Sequence, residues 1–364
     1  MVFTGLYRPS PHRAGRAPTL CGVRIGILTG GGDAPGLNAA IRAVARTAFN
    51  RGHSVSGVKN GWAGALHGDI EELGRADVRE ILPLGGTILG TSRTNPLKEH
   101  DGVGRAADGL RDAGVDCLVA IGGDDTLSVA AALHEAGYPT VGVPKTIDND
   151  LSATDFCIGF DTAVGIVAEA LDRLQTTASA HHRVMVVEVM GRDTGWVGVA
   201  GGLAGGADLV IIPEYEITLD EVLAHLERRR DEGRDFSIIA VAEGVRFEGL
   251  GLNGDGARTD AFGHVQLSKR GVGDALSTYI ESMTGLETRV TVLGHLQRGG
   301  TPSATDRIWA TRLGARAAEL AIEGRYGVVP IRKDDDVEIV PIASLVDQPR
   351  RVPADLYELT KTFA

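Results

Sequence analysis

Cysteine is scarce in this 364-residue chain. The three that occur, Cys21, Cys117 and Cys157, share neither a metal-ligand nor a Cys-x-x-Cys spacing. Cys117 also falls in an apolar run that reads as a core strand. A disulfide framework is therefore not expected, and a reducing cytoplasm is the expected setting. No apolar run approaches the ~20 residues of a membrane-spanning helix. Residues 1–20 contain Arg and Pro but no apolar core, so they do not read as a secretory leader, and a disordered extension is expected. Positive charge is in deficit: the net charge of −11 argues against nucleic acid or an anionic membrane as the main partner. The glycine-rich turn after the first expected strand, 30–36, is neither a Walker loop nor GxGxxG, and there is no internal repeat or low-complexity tract. What is plentiful is glycine, 50 residues of it, in a chain that is 43% hydrophobic and alternates strand and helix patterns. Such a chain is long enough for two α/β lobes.

The stretch 121–150 organises the rest. Two short acidic clusters, 122–126 (GGDDT) and 145–150 (KTIDND), each follow an apolar run, at 117–121 and 140–143. Both runs are short and β-branched, as buried strands of a parallel sheet are. The Ala-rich segment 127–136 between them reads as a helix. A β-α-β unit puts both clusters at the C-terminal edge of the sheet, where open α/β sheets bind ligands. Asp124, Asp125, Asp148, Asp150 and Lys145 then converge on one cleft. Carboxylates so crowded need a cation or hydrogen-bond donors. A hydrated Mg²⁺ carrying phosphates suits them, since it takes one or two carboxylates and keeps positions for phosphate and water.

A third loop joins these two. A strand over 23–29 leads into Gly30, Gly31, Gly32, Asp33, Ala34, Pro35 and Gly36, and then into a helix. Its apolar face is expected at Leu37, Ile41, Val44, Ala48 and Phe49, with Asn38, Arg42, Arg46 and Asn50 on the other. Glycines allow close backbone approach to an anion, and a helix N-terminus offers unpaired N–H groups. A tight turn without a ligand is the equal alternative.

Further on, strands are expected at 54–58, 183–189, 209–212, 237–242 and 288–293. Helices are expected at 161–177, up to 204, and at 219–230, 273–283 and 306–323. Residues 245–271, rich in Gly and Asp, read as an irregular insertion. The tail from 332 carries one short strand at 337–340.

The ordered stretches GGDAPGLNAAIR (31–42), GGTILGTSR (85–93), GGDDT (122–126), PKTIDND (144–150), VVEVMGR (186–192), AEG (242–244) and ETRVTVLGHLQRGG (287–300) resemble the phosphofructokinase family from about 23 to 327. The fold implied is α/β, two doubly wound three-layer lobes with mostly parallel sheets and the active site between them. On that resemblance residues 21–158 and 295–345 form the phosphoryl-donor lobe and 159–294 the fructose 6-phosphate lobe. Residues 346–364 are then a C-terminal tail.

The resemblance implies Asp148 as general base for a sugar hydroxyl, Asp124 as Mg²⁺ carboxylate, and Thr146 and Arg192 on the transferring phosphoryl group. Gly31, Gly32, Arg93 and Lys145 would contact the donor. Ile147, Met190, Gly191, Glu243, His295 and Arg298 would contact the sugar phosphate, and Arg183 and Arg289 would reach it from a neighbouring subunit of a homo-oligomer. ATP-using members generally have Gly where this chain has Asp125 and Lys145. A carboxylate at 125 fills and repels the α-phosphate space, and the pair resembles the pyrophosphate-dependent branch. An ATP-dependent enzyme and a non-catalytic sugar-phosphate sensor are the alternatives.

Overall fold

The computed structural model describes residues 22–250, 271–346 and 349–362. The expected N-terminal extension, Cys21 and most of the 245–271 insertion lie outside them. The elements are β1 (Arg24–Thr29), α1 (Leu37–Asn50), β2 (Ser54–Val58), α2 (Trp62–His67), β3 (Ile70–Leu73), α3 (Gly102–Asp112), β4 (Cys117–Gly122), α4 (Asp124–Glu135), β5 (Thr140–Pro144), α5 (Phe160–His181) and β6 (Val184–Val189). There follow α6 (Trp196–Gly205), β7 (Leu209–Ile211), α7 (Leu219–Asp231), β8 (Ser237–Ala242), α8 (Val272–Thr284), β9 (Thr288–Val292), α9 (Ala304–Ile322), β10 (Val328–Lys333), β11 (Asp336–Pro341) and α10 (Ala354–Thr362).

Two sheets result. The first has the order β11-β10-β5-β4-β1-β2-β3, and the second β7-β8-β6-β9. Within the first, β2, β1, β4, β5 and β10 run parallel, and the edge strands β3 and β11 are antiparallel to their neighbours. All pairs in the second are parallel. Alternation along β1 sends Ile25 and Ile27 to one face, against α1 and α9, and Leu28 to the other, with residues of α3 and α4. Every residue of β6 and β8 is buried, so both faces of the second sheet are covered. The fold is thus α/β, with two mostly parallel sheets carrying helices.

Register decides where function can sit. Thr29 pairs with Ile121, and Gly122 with Pro144, so the ends of β1, β4 and β5 lie side by side. In the second sheet Val189 pairs with Ala242 and Glu188 with Val292. The chain passes to the second sheet after β5 and returns before α9. There Asp306 accepts from the N–H groups of Gly159 (2.7 Å) and Thr162 (2.9 Å) and from the Thr162 hydroxyl (2.5 Å), closing the first turn of α5.

Three departures from the sequence reading have local causes. α4 starts at Asp124 rather than 127, because two carboxylates in a first turn are favoured by the helix dipole. β10 carries Pro330, which argues against a strand unless its partner accommodates the missing N–H. Asn38, expected on the polar face of α1, is 1% exposed. It donates to the carbonyls of Leu84 (3.1 Å) and Gly85 (3.0 Å) and accepts from the Ile88 N–H (2.9 Å), so it braces the 85–90 turn.

Candidate active site

The glycine loop after β1 is tied down by its carbonyls. Buried Lys145 donates from Nζ to Gly30 O at 3.0 Å and Gly32 O at 2.5 Å. The Thr91 hydroxyl donates to Gly31 O at 2.6 Å. In a trans peptide the N–H opposes the C=O. The N–H groups of Gly31 and Asp33 therefore point away from Lys145, and that of Gly32 away from Thr91. A Cβ on Gly32 would sit 2.5 Å from Nη1 of Arg298, so a side chain there would displace the guanidinium from this position. Burial and the nearby Arg298 push the Lys145 ammonium down to about 8, against the pull of Asp33, Asp124 and Asp148.

The loop after β5 lies against the start of α4, where Lys145 N–H donates to Gly122 O at 3.0 Å. Asp124, exposed, and Asp125, half-buried, form the first turn there. Ile147 is buried, packed with Ala34, Ala163 and Met190. Thr146 Oγ1 accepts from the Asp148 N–H at 3.1 Å. Asn149 takes a left-handed backbone, φ 51°, and its side chain accepts from Cys157 N–H at 2.8 Å. This inward anchor leaves Asp148 and Asp150 on the cleft side. Asp148 Oδ1 is buried and has no hydrogen-bond partner among the described residues. Burial raises Asp148, opposed by Arg298 and Arg192 and reinforced by Asp193 and Asp124. Asp150 is lifted to about 7 by burial, Asp148 and Asp124.

The second sheet presents its own edge to the same place. Met190, Gly191 and Arg192 follow β6, and Glu243 follows β8, with Glu243 N–H donating to Val189 O (2.9 Å) and Gly244 N–H to Gly191 O (3.0 Å). A Cβ on Gly244 would lie 2.0 Å from Arg192 O, so only glycine permits this approach. Glu243 is pushed up to about 7 by burial, Asp148 and Glu188. A short helical turn, Gly294–Arg298, carries exposed His295 and half-buried Arg298. Arg298 reaches across to Asp33 O at 3.2 Å. Fully buried Gln297 accepts from Met190 N–H at 3.2 Å. Sequence reasoning passed over Gln297, Asn149 and Thr91. Nothing but their place inside motifs marks them.

Buried carboxyl groups, with Asp150 and Glu243 lifted to about 7 and Asp148 raised, stand near Arg192 and Arg298; such carboxylates can take a proton from an alcohol, and such arginines can neutralise a phosphoryl group. Two of the candidates stand elsewhere in the chain. Arg183 precedes β6 and Arg289 lies near the start of β9, at the edge of the sheet opposite Met190 and Glu243. Both pair with Glu287, Arg183 Nε at 2.8 Å. Arg93 is exposed at the end of the turn that Thr91 fixes to the loop.

Residues 24–321 match the family model described as phosphofructokinase. The chain is 50% identical over 342 residues (94% of this chain, 99% of the relative) to a pyrophosphate--fructose 6-phosphate 1-phosphotransferase of Amycolatopsis methanolica. It is 46% identical over 335 residues (92% and 97%) to ATP-dependent 6-phosphofructokinase 2 of Streptomyces coelicolor. Among solved structures, the phosphofructokinase of Saccharomyces cerevisiae superposes with a TM-score of 0.76 at 33% identity, covering 93% of this chain and 46% of that one.

Proposed function

Because the chain belongs to the phosphofructokinase family, we propose that it moves a phosphoryl group reversibly between pyrophosphate and the 1-hydroxyl of fructose 6-phosphate. The observation that carries the chemistry is Asp148: a carboxylate oxygen that is buried, without a hydrogen-bond partner among the described residues, with its acidity lowered by burial. The 1-oxygen attacks phosphorus, its proton passes to Asp148, and the bond from phosphorus to the bridging oxygen breaks to release phosphate. Thr146 and Arg192 steady the transferring group. Met190, Gly191, Glu243, His295 and Arg298 hold the sugar phosphate, with Arg183 and Arg289 supplied by a second copy of the chain. Arginine suits that far phosphate because its planar fork makes two parallel bonds. The first sheet and its return strands serve the donor, the second the sugar, in a cytoplasmic homo-oligomer.

Asp124 fits a magnesium ion carried in by phosphate. Among the described residues no three His, Cys, Asp or Glu side chains form a cage to hold one independently. When bound, such an ion neutralises charge on the donor's phosphate oxygens.

Identity does not choose the donor, since relatives named for pyrophosphate and for ATP stand at 50% and 46%. Asp125 and Lys145 favour pyrophosphate: a carboxylate at 125 would oppose a nucleotide's α-phosphate, and the Lys145 ammonium binds the glycine loop at a position where ATP-using members generally have Gly. Steady-state assay of the purified protein with both donors tests the reading. A preference for ATP would overturn it in favour of the ATP-dependent enzyme.

A further inference from the structure

The segment after β11 crosses from the first sheet to the second, and it passes against the 145–150 loop. The Arg350 backbone N–H donates to Asp150 O at 2.7 Å, and its Nη1 to Thr154 O at 2.6 Å. The same guanidinium lies 4.0 Å from the centroid of the Trp196 ring, and Trp196 Nε1–H donates back to Arg350 O at 2.7 Å. Trp196 opens α6, just after the loop of Met190 and Arg192. The next residues are anchored on the second sheet's side. Val352 N–H donates to Glu214 Oε1 at 3.2 Å, and that carboxylate also holds Gly195 N–H at 2.8 and 3.0 Å. Val352 and Tyr357 belong to the core around the second sheet, and Tyr357 stacks on Tyr215 at 4.5 Å. One residue therefore holds the chain just after Asp148, at Asp150 and Thr154, and fastens it to the helix that follows Arg192.

We propose that Arg350 is a positioning residue for phosphoryl transfer, setting the base-bearing loop of one sheet edge against the arginine-bearing loop of the other. The inference rests on the reaction proposed above. A guanidinium is suited to the task because its plane lies flat on an indole while its edge donates to a carbonyl. An ammonium keeps the charge and one donor but loses the stacked plane. The reacting atoms come from different sheets, and small misplacements of such groups cost rate rather than ground-state binding.

The test is steady-state kinetics with whichever donor the wild type uses, on Arg350→Ala, Arg350→Lys, Trp196→Leu and the Arg350→Ala/Trp196→Leu pair. Arg350→Ala is expected to lower kcat about tenfold with both KM values within about twofold. Arg350→Lys should lose about threefold with an unchanged Tm. The double variant should be no slower than the worse single one, since both remove one contact. Wild-type kcat in Arg350→Lys and Arg350→Ala, a loss confined to KM, or losses that multiply would overturn the proposal. If Arg350→Ala does not fold, Arg350→Lys decides alone on kcat against Tm. The wild-type assay with both donors and Asp148→Asn run alongside separate the ideas: a wild type that transfers from neither donor sinks the reaction reading, and near-normal turnover in Asp148→Asn sinks Asp148 as its base, whatever the Arg350 variants do.

Discussion

The Lys145 ammonium lies 2.5 Å from the carbonyl oxygen of Gly32 and 3.0 Å from that of Gly30, so a residue expected to grip the donor also braces the loop that receives it. An ammonium has three donors, and two are taken by these carbonyls. Burial holds Lys145 down at about 8. Pyrophosphate kcat/KM is therefore expected to fall as pH rises through ~8, as the charge is lost. Stability responds with the opposite sign. Between about 8 and the unfolded value the unfolded chain binds more protons, so this group makes the fold more stable as pH rises. An alkaline limb in kcat/KM without a parallel fall in Tm, and absent from Lys145→Met, is the expected pattern.

Asp148→Asn preserves shape and removes the proton acceptor. Turnover should drop by at least ~10²-fold with both KM values little changed. Substrate affinity is best checked by direct binding, so that a folding defect is not read as a catalytic one.

The three loops at the edge of the first sheet were legible because parallel strands in register leave no freedom in where their C-terminal ends meet. Apolar runs at 117–121 and 140–143 sufficed to bring Asp124 and Asp148 together. Elements without an apolar run were not legible. β3 shows two glutamates on an edge, α3 is rich in glycine and polar residues, and β10 contains Pro330. Buried polar residues were also misjudged, as Asn38 was, or passed over, as Gln297 was. Asn38 and Gln297 look like surface amides by type, yet they are 1% and 0% exposed. What buries them is a partner distant in sequence, the 84–88 turn for one and Met190 for the other. Arg350 lay in a stretch whose role the sequence leaves open, since stacking on Trp196 has no signature in local spacing.

Asp306 joins α9 to the first turn of α5 through three donors. Asp306→Asn retains the volume but turns an amide N–H₂ toward at least one of them. A loss of roughly 1–3 kcal/mol in unfolding free energy is expected, and Asp306→Ala should cost more. Urea unfolding at neutral pH measures both, and two variants within error of wild type would show that the contact does not hold α5.

Arg183 and Arg289 sit at the sheet edge opposite Met190 and Glu243. If they serve a neighbour's site, an Asp148→Asn chain and an Arg183→Ala chain should complement each other. In a hybrid both defects can fall in one site, leaving another intact. Mixing after mild dissociation should restore part of the activity. Hybrids proven by mass but inactive would mean that each site is built from one chain.

The donor is the sharpest case. Asp125 stands in the first turn of α4 beside Asp124, and Lys145 is fixed beneath the glycine loop. Two unit charges about 4 Å apart interact by roughly 4 kcal/mol at an effective dielectric near 20, close to three decades in affinity. A carboxylate at 125 should therefore reject a nucleotide's α-phosphate before any steric term is added. Asp125→Gly is expected to gain measurable ATP turnover. Lys145→Gly should chiefly lose pyrophosphate turnover, and by more than a lost charge alone would explain, because the carbonyls of Gly30 and Gly32 lose their shared donor. The double change should move preference furthest toward ATP. Comparing kcat/KM for both donors across the four proteins separates the two residues. An Asp125→Gly enzyme that still ignores ATP would leave pyrophosphate as the donor but remove the carboxylate as the reason, and the exclusion would then lie in the pocket that would have to take the adenosine.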